Sequence, residues 1–524
     1  MPVVQFTLRW PDGTVQHCES PSRAIERALA PGASYPVDEL LRRTDAALHE
    51  GSERVRAKYG FACTESATQR QALHRGAGRH ARPLGRVLVE SVQRVAPAPT
   101  HPPPKVVDGH VAVVVIGAGQ AGLCVSWELV QRGIDHVVLE GDRIAHAWKS
   151  DRWDAFCLVT PNWQCQLPGL PYDGDDPDGF MLRDEVVSYV ERFASSFEAP
   201  VYEGVAVGRV AEGRGGDFVL ETSHGTLSAG QVVLAVGGYH RPRFPALAEQ
   251  VPAVASSVHS SAYRNPTSLP DGAVLVVGTG QSGAQIAEDL HLAGREVHLS
   301  VGSAPRVARR WRGRDVVAWL HDIGHYELPI DEHPEGLGAR KEPNHYVTGR
   351  DGGHDLDLRT FATQGMHLHG RLAGMGPDGH VRFAADLRAN LDGADETYDR
   401  INDTIDKWIA ERGIDAPAGT THSVAWEPDA ADGGGELDLE DAGISSIVWA
   451  TGYESDWDWV AVDGLLDETG YPAHARGVTE VPGLHMIGLP WLHTWGSGRF
   501  AAVARDAKHL SGHIAAAARV AEAA

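Results

Sequence analysis

Two short glycine-rich segments carry the residue types and spacing that cradle a pyrophosphate. The first is Gly117-Ala118-Gly119-Gln120-Ala121-Gly122; the second is Gly278-Thr279-Gly280-Gln281-Ser282-Gly283. Each follows an apolar run, Val111 to Ile116 and Ala273 to Val277, and opens a helix-like stretch. That strand–turn–helix context is what gives the motif meaning. Glycines permit the tight turn, the close backbone approach to phosphate and the helix–strand packing, while free N–H groups at the helix start stabilise the anion. Two such turns imply two dinucleotides on one chain, bound by Gly117, Gly119 and Gly122 in one site and Gly278, Gly280 and Gly283 in the other. Gln281 and Ser282 are expected at the pyrophosphate or nicotinamide side of the second, with helix capping as the plain alternative for Ser282.

The strand following each turn discriminates between nucleotides. His136–Leu139 ends at Glu140, near the distance at which a carboxylate binds ribose hydroxyls and repels a 2′-phosphate. The first site is therefore expected to take FAD or NAD. Glu296–Val301 ends without an acid, and Arg306, Arg309, Arg310, Arg312 and Arg314 follow. Guanidinium groups bind phosphate bidentately, so the second site is expected to take NADPH, with Arg306 as the contact nearest in sequence. A solvated basic stripe is the alternative.

Histidine is abundant, at 27 copies. His321 and His325 are four apart, but Gly324 breaks the helix that would align them and no Glu follows His321. His367 and His369 are two apart. Common core and surface histidines account for these spacings, and no metal site is expected.

These residues must be positioned by a scaffold, and the 524 residues allow three or four domains. Hydrophobic content of 42% and charged content of 22% fit an ordinary globular protein. The net charge of −23 argues against a nucleic-acid partner. No apolar run approaches the roughly 20 residues of a membrane span, and the start lacks a signal-peptide pattern. Five cysteines without a Cys-x-x-Cys pair suit a reducing cytoplasm and give no redox dithiol.

A proline-rich linker at 96–108 separates a small α+β accessory domain, 1–95, from the rest. In that domain Phe6 to Trp10 and Thr14 to Cys18 flank Pro11-Asp12-Gly13 as a hairpin, and Tyr35 to Lys58 reads as one or two amphipathic helices. Beyond the linker, alternating strands and helices predict a doubly wound α/β fold.

The order of punctuation along the chain is telling: a glycine turn, Leu234-Ala235-Val236-Gly237-Gly238, a second glycine turn, then Trp449-Ala450-Thr451-Gly452-Tyr453. It resembles the flavin-containing monooxygenase superfamily, in which an NADPH domain is inserted into a split FAD domain. The likeness runs from about Val111 to Ala518 and includes Trp148, Arg152-Trp153, Ile487-Gly488-Leu489-Pro490-Trp491 and Ser497-Gly498. The segments Arg310-Trp311-Arg312-Gly313-Arg314-Asp315 and His345 to Gly353 bring it nearest to bacterial flavin-dependent oxidoreductases of nitrogen-starvation-response clusters. The amino-terminal unit, with Arg9 to Gly13 and Pro31 to Pro36, is similar to a small protein from the same clusters, so the chain reads as a fusion.

The resemblance implies two Rossmann-type domains: a first FAD part at 109–265, an inserted NADPH domain at 266–440 and a second FAD part at 441–524. It implies that NADPH reduces FAD, that O2 adds at flavin C4a and that a soft nucleophile (N or S) or keto-acid-like substrate is oxygenated. It adds Gln120, Trp148, Arg152, Gly488, Ser497 and Gly498 to the FAD contacts. A helix starting near Gly498 would face the flavin's pyrimidine end with free N–H groups. Arg499 there is placed either against the flavin or in solvent. Asn162, in the loop Leu158 to Gln164, is the candidate amide near flavin N5, a turn residue being the alternative. The superfamily fingerprint survives only as His259 and Tyr263, with Ala253 and Ala255 at its Phe and Gly positions. Tyr263 stands where a Baeyer–Villiger enzyme would carry Trp, which lowers ketone-to-ester oxygenation. Alternatives are a reductase or NADPH oxidase without oxygen insertion, or a flavin redox-sensing protein whose residues 1–95 bind a partner. Homo-oligomerisation and a cytoplasmic location complete the expectations.

Overall fold

The expected amino-terminal hairpin forms: Val3–Arg9 pairs antiparallel with Val15–Ser20. The computed structural model describes residues 3–20, 24–59, 64–80, 85–95, 109–252, 255–376, 378–419, 424–429 and 434–523. The linker 96–108 and Ala253 lie outside them. The chain divides into two units, Met1–Pro102 and Pro103–Ala524.

In the first unit a four-stranded antiparallel sheet runs Val15–Ser20, Val3–Arg9, Arg86–Val95, Ser34–Pro36. Strand alternation sends Val4, Phe6 and Leu8 inward while Gln5 and Arg9 stay exposed. Trp10 joins this core, and its indole N–H donates to Gln16 Oε1 at 2.8 Å. Helices Val37–Tyr59 and Thr64–His80 complete the unit.

The second unit holds two sheets with parallel cores. In the first, His110–Ile116 lies between Gly225–Leu234 and His136–Glu140, and Val201–Glu203 follows on the outside. Both faces of His110–Ile116 are covered, which is why Val113, Val114 and Val115 are fully buried without alternation. Leu484–Met486 pairs parallel with the far side of Gly225–Leu234. Helix Val503–Ala523 packs against helix Gln120–Gln131. The chain thus returns to this sheet at its carboxyl end.

The second sheet is wholly parallel, in the order Ser256–His259, Ile444–Trp449, Ala273–Val277, Val297–Ser300, His367–His369. Its outer strand Ser256–His259 precedes residue 266, and Ile444–Trp449 follows residue 440. The reason is packing: Ile444–Trp449 is buried between two partners and belongs to the centre of this sheet. Two Rossmann-type halves, one inserted into the other, result.

Candidate functional site

Each glycine turn begins where a central strand ends. A Cβ on Gly117 would lie 2.6 Å from the Ala235 carbonyl oxygen, and one on Gly278 2.7 Å from that of Ala450. Those alanines belong to the two crossing segments between the sheets. Cβ atoms on Gly122 and Gly283 would lie 2.0 and 1.9 Å from the carbonyl oxygens of Gly117 and Gly278. Backbone packing therefore explains the first and third glycines of both turns. It does not explain the second. Gly119 and Gly280 have ordinary φ values of −76° and −61°, and no protein atom lies within 4 Å of a Cβ built on either. Each heads a helix without a side-chain cap, so the N–H groups there face open space. This geometry fits a pyrophosphate at both turns.

One cavity of about 1350 Å³ joins the turns, larger than the roughly 300–1,000 Å³ of a pocket for one drug-sized ligand. Gly117, Gly119, Gln120, Glu140, Trp148, Arg152, Gly278, Gly280, Gln281, Ser282, Gly488, Ser497 and Gly498 line it; Gly122 and Gly283 lie behind the turns. Glu140 accepts from the Ala118 and Asp142 N–H groups at 2.8 and 3.0 Å, which fixes its carboxylate at the strand tip with lone pairs to spare. Gln120 accepts from Trp148 Nε1 at 2.9 Å and donates to the Gly498 carbonyl at 3.0 Å. It fastens the first turn to the carboxyl-terminal segment. Arg152 lies 5.3 Å from the Trp148 ring centroid, and Phe500 stacks on the same ring. Gln281 and Gln285 both donate to the Val347 carbonyl.

Several expectations change. The helix after Gly498 begins at Val503. Before it, the Ser497 hydroxyl accepts from the N–H groups of His493 and Thr494 and donates to Asp506 at 2.6 Å, which makes a separate turn. Ser497 therefore offers the cavity a backbone rather than a free hydroxyl. Asn162 is buried but turned away: its amide donates to the Asp176 carbonyl at 2.9 Å, and it does not line the cavity. Two residues on, at the end of the short helix Asn162–Gln164, Gln164 does line it, with a buried Nε2 that has no partner.

The arginine cluster is also spoken for. Arg306, 3% exposed, pairs with Asp395 at 2.6 Å. Arg309 pairs with Asp315, Arg312 with Asp406, and Arg314 with Asp322. Arg310 is exposed and lies outside the cavity. Of the cluster, Arg309 lines the cavity, but in its pair with Asp315; Gly302 and Ser303 line it past the second strand, and so does Arg400 from helix Leu387–Arg412. Arg400 is exposed, and its bond is to the Thr397 hydroxyl, with no carboxylate in ion-pair range among the described residues. Its distance along the chain hid it from sequence reasoning.

A third wall is made by His325, Tyr326, Asn344, His345, Trp495 and Arg499. The Arg499 guanidinium lies 3.3 Å from the Trp495 ring centroid and donates to Asn344 Oδ1 at 2.7 Å. No carboxylate pairs with it among the described residues. Burial pushes its pKa down to about 10, which leaves it a cation at neutral pH. Burial, then the cations around it, lowers His345 to about 4, burial lowers His325, and burial raises Tyr326. All three are neutral beside a cation that no carboxylate among the described residues neutralises.

His259 and Tyr263 sit at the crossing: His259 Nε2 meets the Gly452 carbonyl at 3.0 Å, and Tyr263 donates to Asp289 at 2.7 Å.

Comparison with known proteins fits this geometry. Residues 5–92 match the family model "Nitrogen starvation-induced protein NitG", and residues 114–322 match "Pyridine nucleotide-disulphide oxidoreductase". An uncharacterized CzcO-like oxidoreductase of Geobacillus kaustophilus (strain HTA426) is 30% identical over 410 residues, spanning 77% of this chain and 98% of that one. A probable indole-3-pyruvate monooxygenase, YUCCA4 of Arabidopsis thaliana, is 30% identical over 199 residues, 38% of this chain and 48% of that protein. Among solved structures, a flavin-containing monooxygenase from Stenotrophomonas maltophilia shares the fold, with a TM-score of 0.53 at 19% identity over 78% of this chain and 99% of that one. A unit similar to the nitrogen-starvation protein is thus joined to an oxidoreductase, and no helix among the described residues is long and apolar enough to cross a membrane.

Proposed function

The chain belongs to the family of CzcO-like oxidoreductases, and on that premise we propose that it is an NADPH-dependent flavin monooxygenase acting on a small, carboxylate-bearing N- or S-nucleophile or keto acid. The observation that carries this reading is one cavity bordered by both phosphate-cradling turns and by a cation without a carboxylate partner, Arg499.

FAD is assigned to the first turn. There the Gly119 backbone would hold the pyrophosphate, Glu140 would accept from the ribose hydroxyls, and Gln120, Trp148, Arg152, Gly488, Ser497 and Gly498 would border the ring system. NADPH is assigned to the second, on Gly280, Gln281 and Ser282. The 2′-phosphate passes from Arg306 to Arg400, with Ser303 beside it, because Arg306 is buried against Asp395. Bound FAD supplies the hydride acceptance and oxygen chemistry. The chain's own groups bind, orient and exclude water. Gln164 supplies the unpartnered amide donor in place of Asn162, and Arg499 anchors the substrate's carboxylate. In the net reaction NADPH supplies two electrons as hydride; one oxygen atom of O2 enters the substrate and the other leaves as water, which takes up that hydrogen and one proton.

The likeness to YUCCA4, named a probable indole-3-pyruvate monooxygenase, supports the reaction class over the part of the chain it spans. The experiment is turnover under 18O2 with FAD-loaded protein, NADPH and a set of carboxylate-bearing amines, sulfides and keto acids. Label in a product supports oxygen insertion. Recovery of all NADPH electrons as H2O2 with every compound contradicts it and favours an NADPH oxidase.

A further inference from the structure

Away from the cavity, at the edge of the second parallel sheet, the last two strands are Val297–Ser300 and His367–His369. Their register sets His298 beside His367 and Ser300 beside His369. Glu296 immediately precedes the first strand. Glu296 Oε1 lies 3.7 Å from His298 Nε2 and 3.3 Å from His367 Nε2, and all three ligand atoms fall within 4.8 Å of one another. A tetrahedral ion with bonds of about 2.0–2.2 Å needs ligand atoms roughly 3.3–3.6 Å apart. The His298 and His367 rings stack, with centroids 4.5 Å and planes 17° apart, so closing on one ion takes a rotation of the exposed His367 ring as well as a shift of the exposed Glu296.

His298 gives the independent reason to expect an occupant. It is 5% exposed. Its Nδ1 lies 3.0 Å from His369 Nε2, and its Nε2 is buried with no hydrogen-bond partner. When Nδ1 carries the proton and donates to His369, Nε2 presents a bare lone pair toward Glu296 and His367. An imidazole oriented by a bond from its other nitrogen is the usual arrangement of a metal ligand.

We propose that Glu296, His298 and His367 bind one divalent ion of the zinc class through a carboxylate oxygen and two imidazole nitrogens, with His369 orienting His298 and water completing the shell. Nitrogen-rich sites of this kind select zinc-like ions over magnesium or calcium, which prefer all-oxygen shells. The ion would clip together the two ends of segment 301–366, which carries His325, Asn344 and His345 of the cavity wall.

The test uses the full chain, stripped with a chelator and titrated with Zn²⁺ by calorimetry and with Co²⁺ by visible absorption. One equivalent should bind, with a Co²⁺ ligand-field band. Glu296→Gln and His367→Ala, at exposed positions, should each weaken binding at least tenfold and abolish the Zn²⁺-induced rise in Tm. His513→Ala, which removes a ring from the separate His509–His513 pair, should change neither. Absence of stoichiometric binding, or wild-type affinity in both Glu296→Gln and His367→Ala, overturns the site.

Discussion

Arg306 Nε donates to Asp395 Oδ1 at 2.6 Å with the arginine only 3% exposed. The guanidinium also stands 4.2 Å from the Tyr398 ring centroid. Removing one member of a buried pair costs about 3–5 kcal/mol when the other charge is left uncompensated; Asp395 keeps Arg359 at 2.9 Å, so the cost here falls below that. Arg306→Ala should therefore lower Tm by several degrees and leave the NADPH-to-NADH ratio of KM values near wild type. Arg400→Ala should do the reverse, raising KM for NADPH roughly tenfold or more with little effect on NADH or Tm. Steady-state kinetics with both nucleotides, beside thermal melts, separates the two.

Gly117 and Gly119 should fail differently when each is changed to Ala. A Cβ on Gly117 meets the Ala235 carbonyl at 2.6 Å with φ at +106°, so Gly117→Ala should destabilise the apoprotein. A Cβ on Gly119 meets no protein atom within 4 Å. Gly119→Ala should fold with an unchanged apo Tm yet lose FAD affinity by tenfold or more. Flavin titration of both apoproteins checks this; full FAD affinity in Gly119→Ala would contradict the cradle.

Arg499→Met should keep the side chain's reach and remove its charge. A hydrogen bond to a charged group contributes about 1.5–3 kcal/mol. KM for a carboxylate-bearing substrate should rise ten- to a hundredfold, while KM for NADPH and for an uncharged analogue stays within about twofold. An equal rise for all three would remove Arg499 from substrate binding.

His354 Nε2 lies 2.6 Å from Oε1 of the buried Glu288, and this bond raises the histidine's pKa above 6.5. A group whose folded pKa is raised contributes stability that is fully present below its unfolded value and lost as pH rises through the folded one. The Tm gap between wild type and His354→Gln should be widest below about pH 6.5 and shrink as the pH rises above that value. A gap independent of pH would show that the imidazolium contributes nothing.

The frame of the molecule was legible in the sequence because its signals are local. Apolar runs mark Val111–Ile116 and Ala273–Val277, glycine spacing marks the turns, and the ordered crossing segments mark the inserted arrangement. Side-chain assignments failed where long-range partners decide them. Arg306 and Arg312 looked like free cations because Asp395 and Asp406 lie far along the chain on one helix. Asn162 and Gln164 are both amides in one short turn, and only the turn's direction determines that Gln164 faces the cavity. In the sequence His367 pairs with His369, two residues on, whereas strand register sets it beside His298 and Glu296.

The most direct test of the account is anaerobic mixing of the FAD-loaded protein with one equivalent of NADPH, and then with rising concentrations of NADPH or NADH, while the flavin's visible band is followed. Two dinucleotides in one cavity predict that the band bleaches fully, at a rate that saturates with NADPH, and that NADH reaches the same rate only at much higher concentration. A band that stays unchanged, or bleaches only when a separate reductase is added, would contradict hydride transfer within this chain.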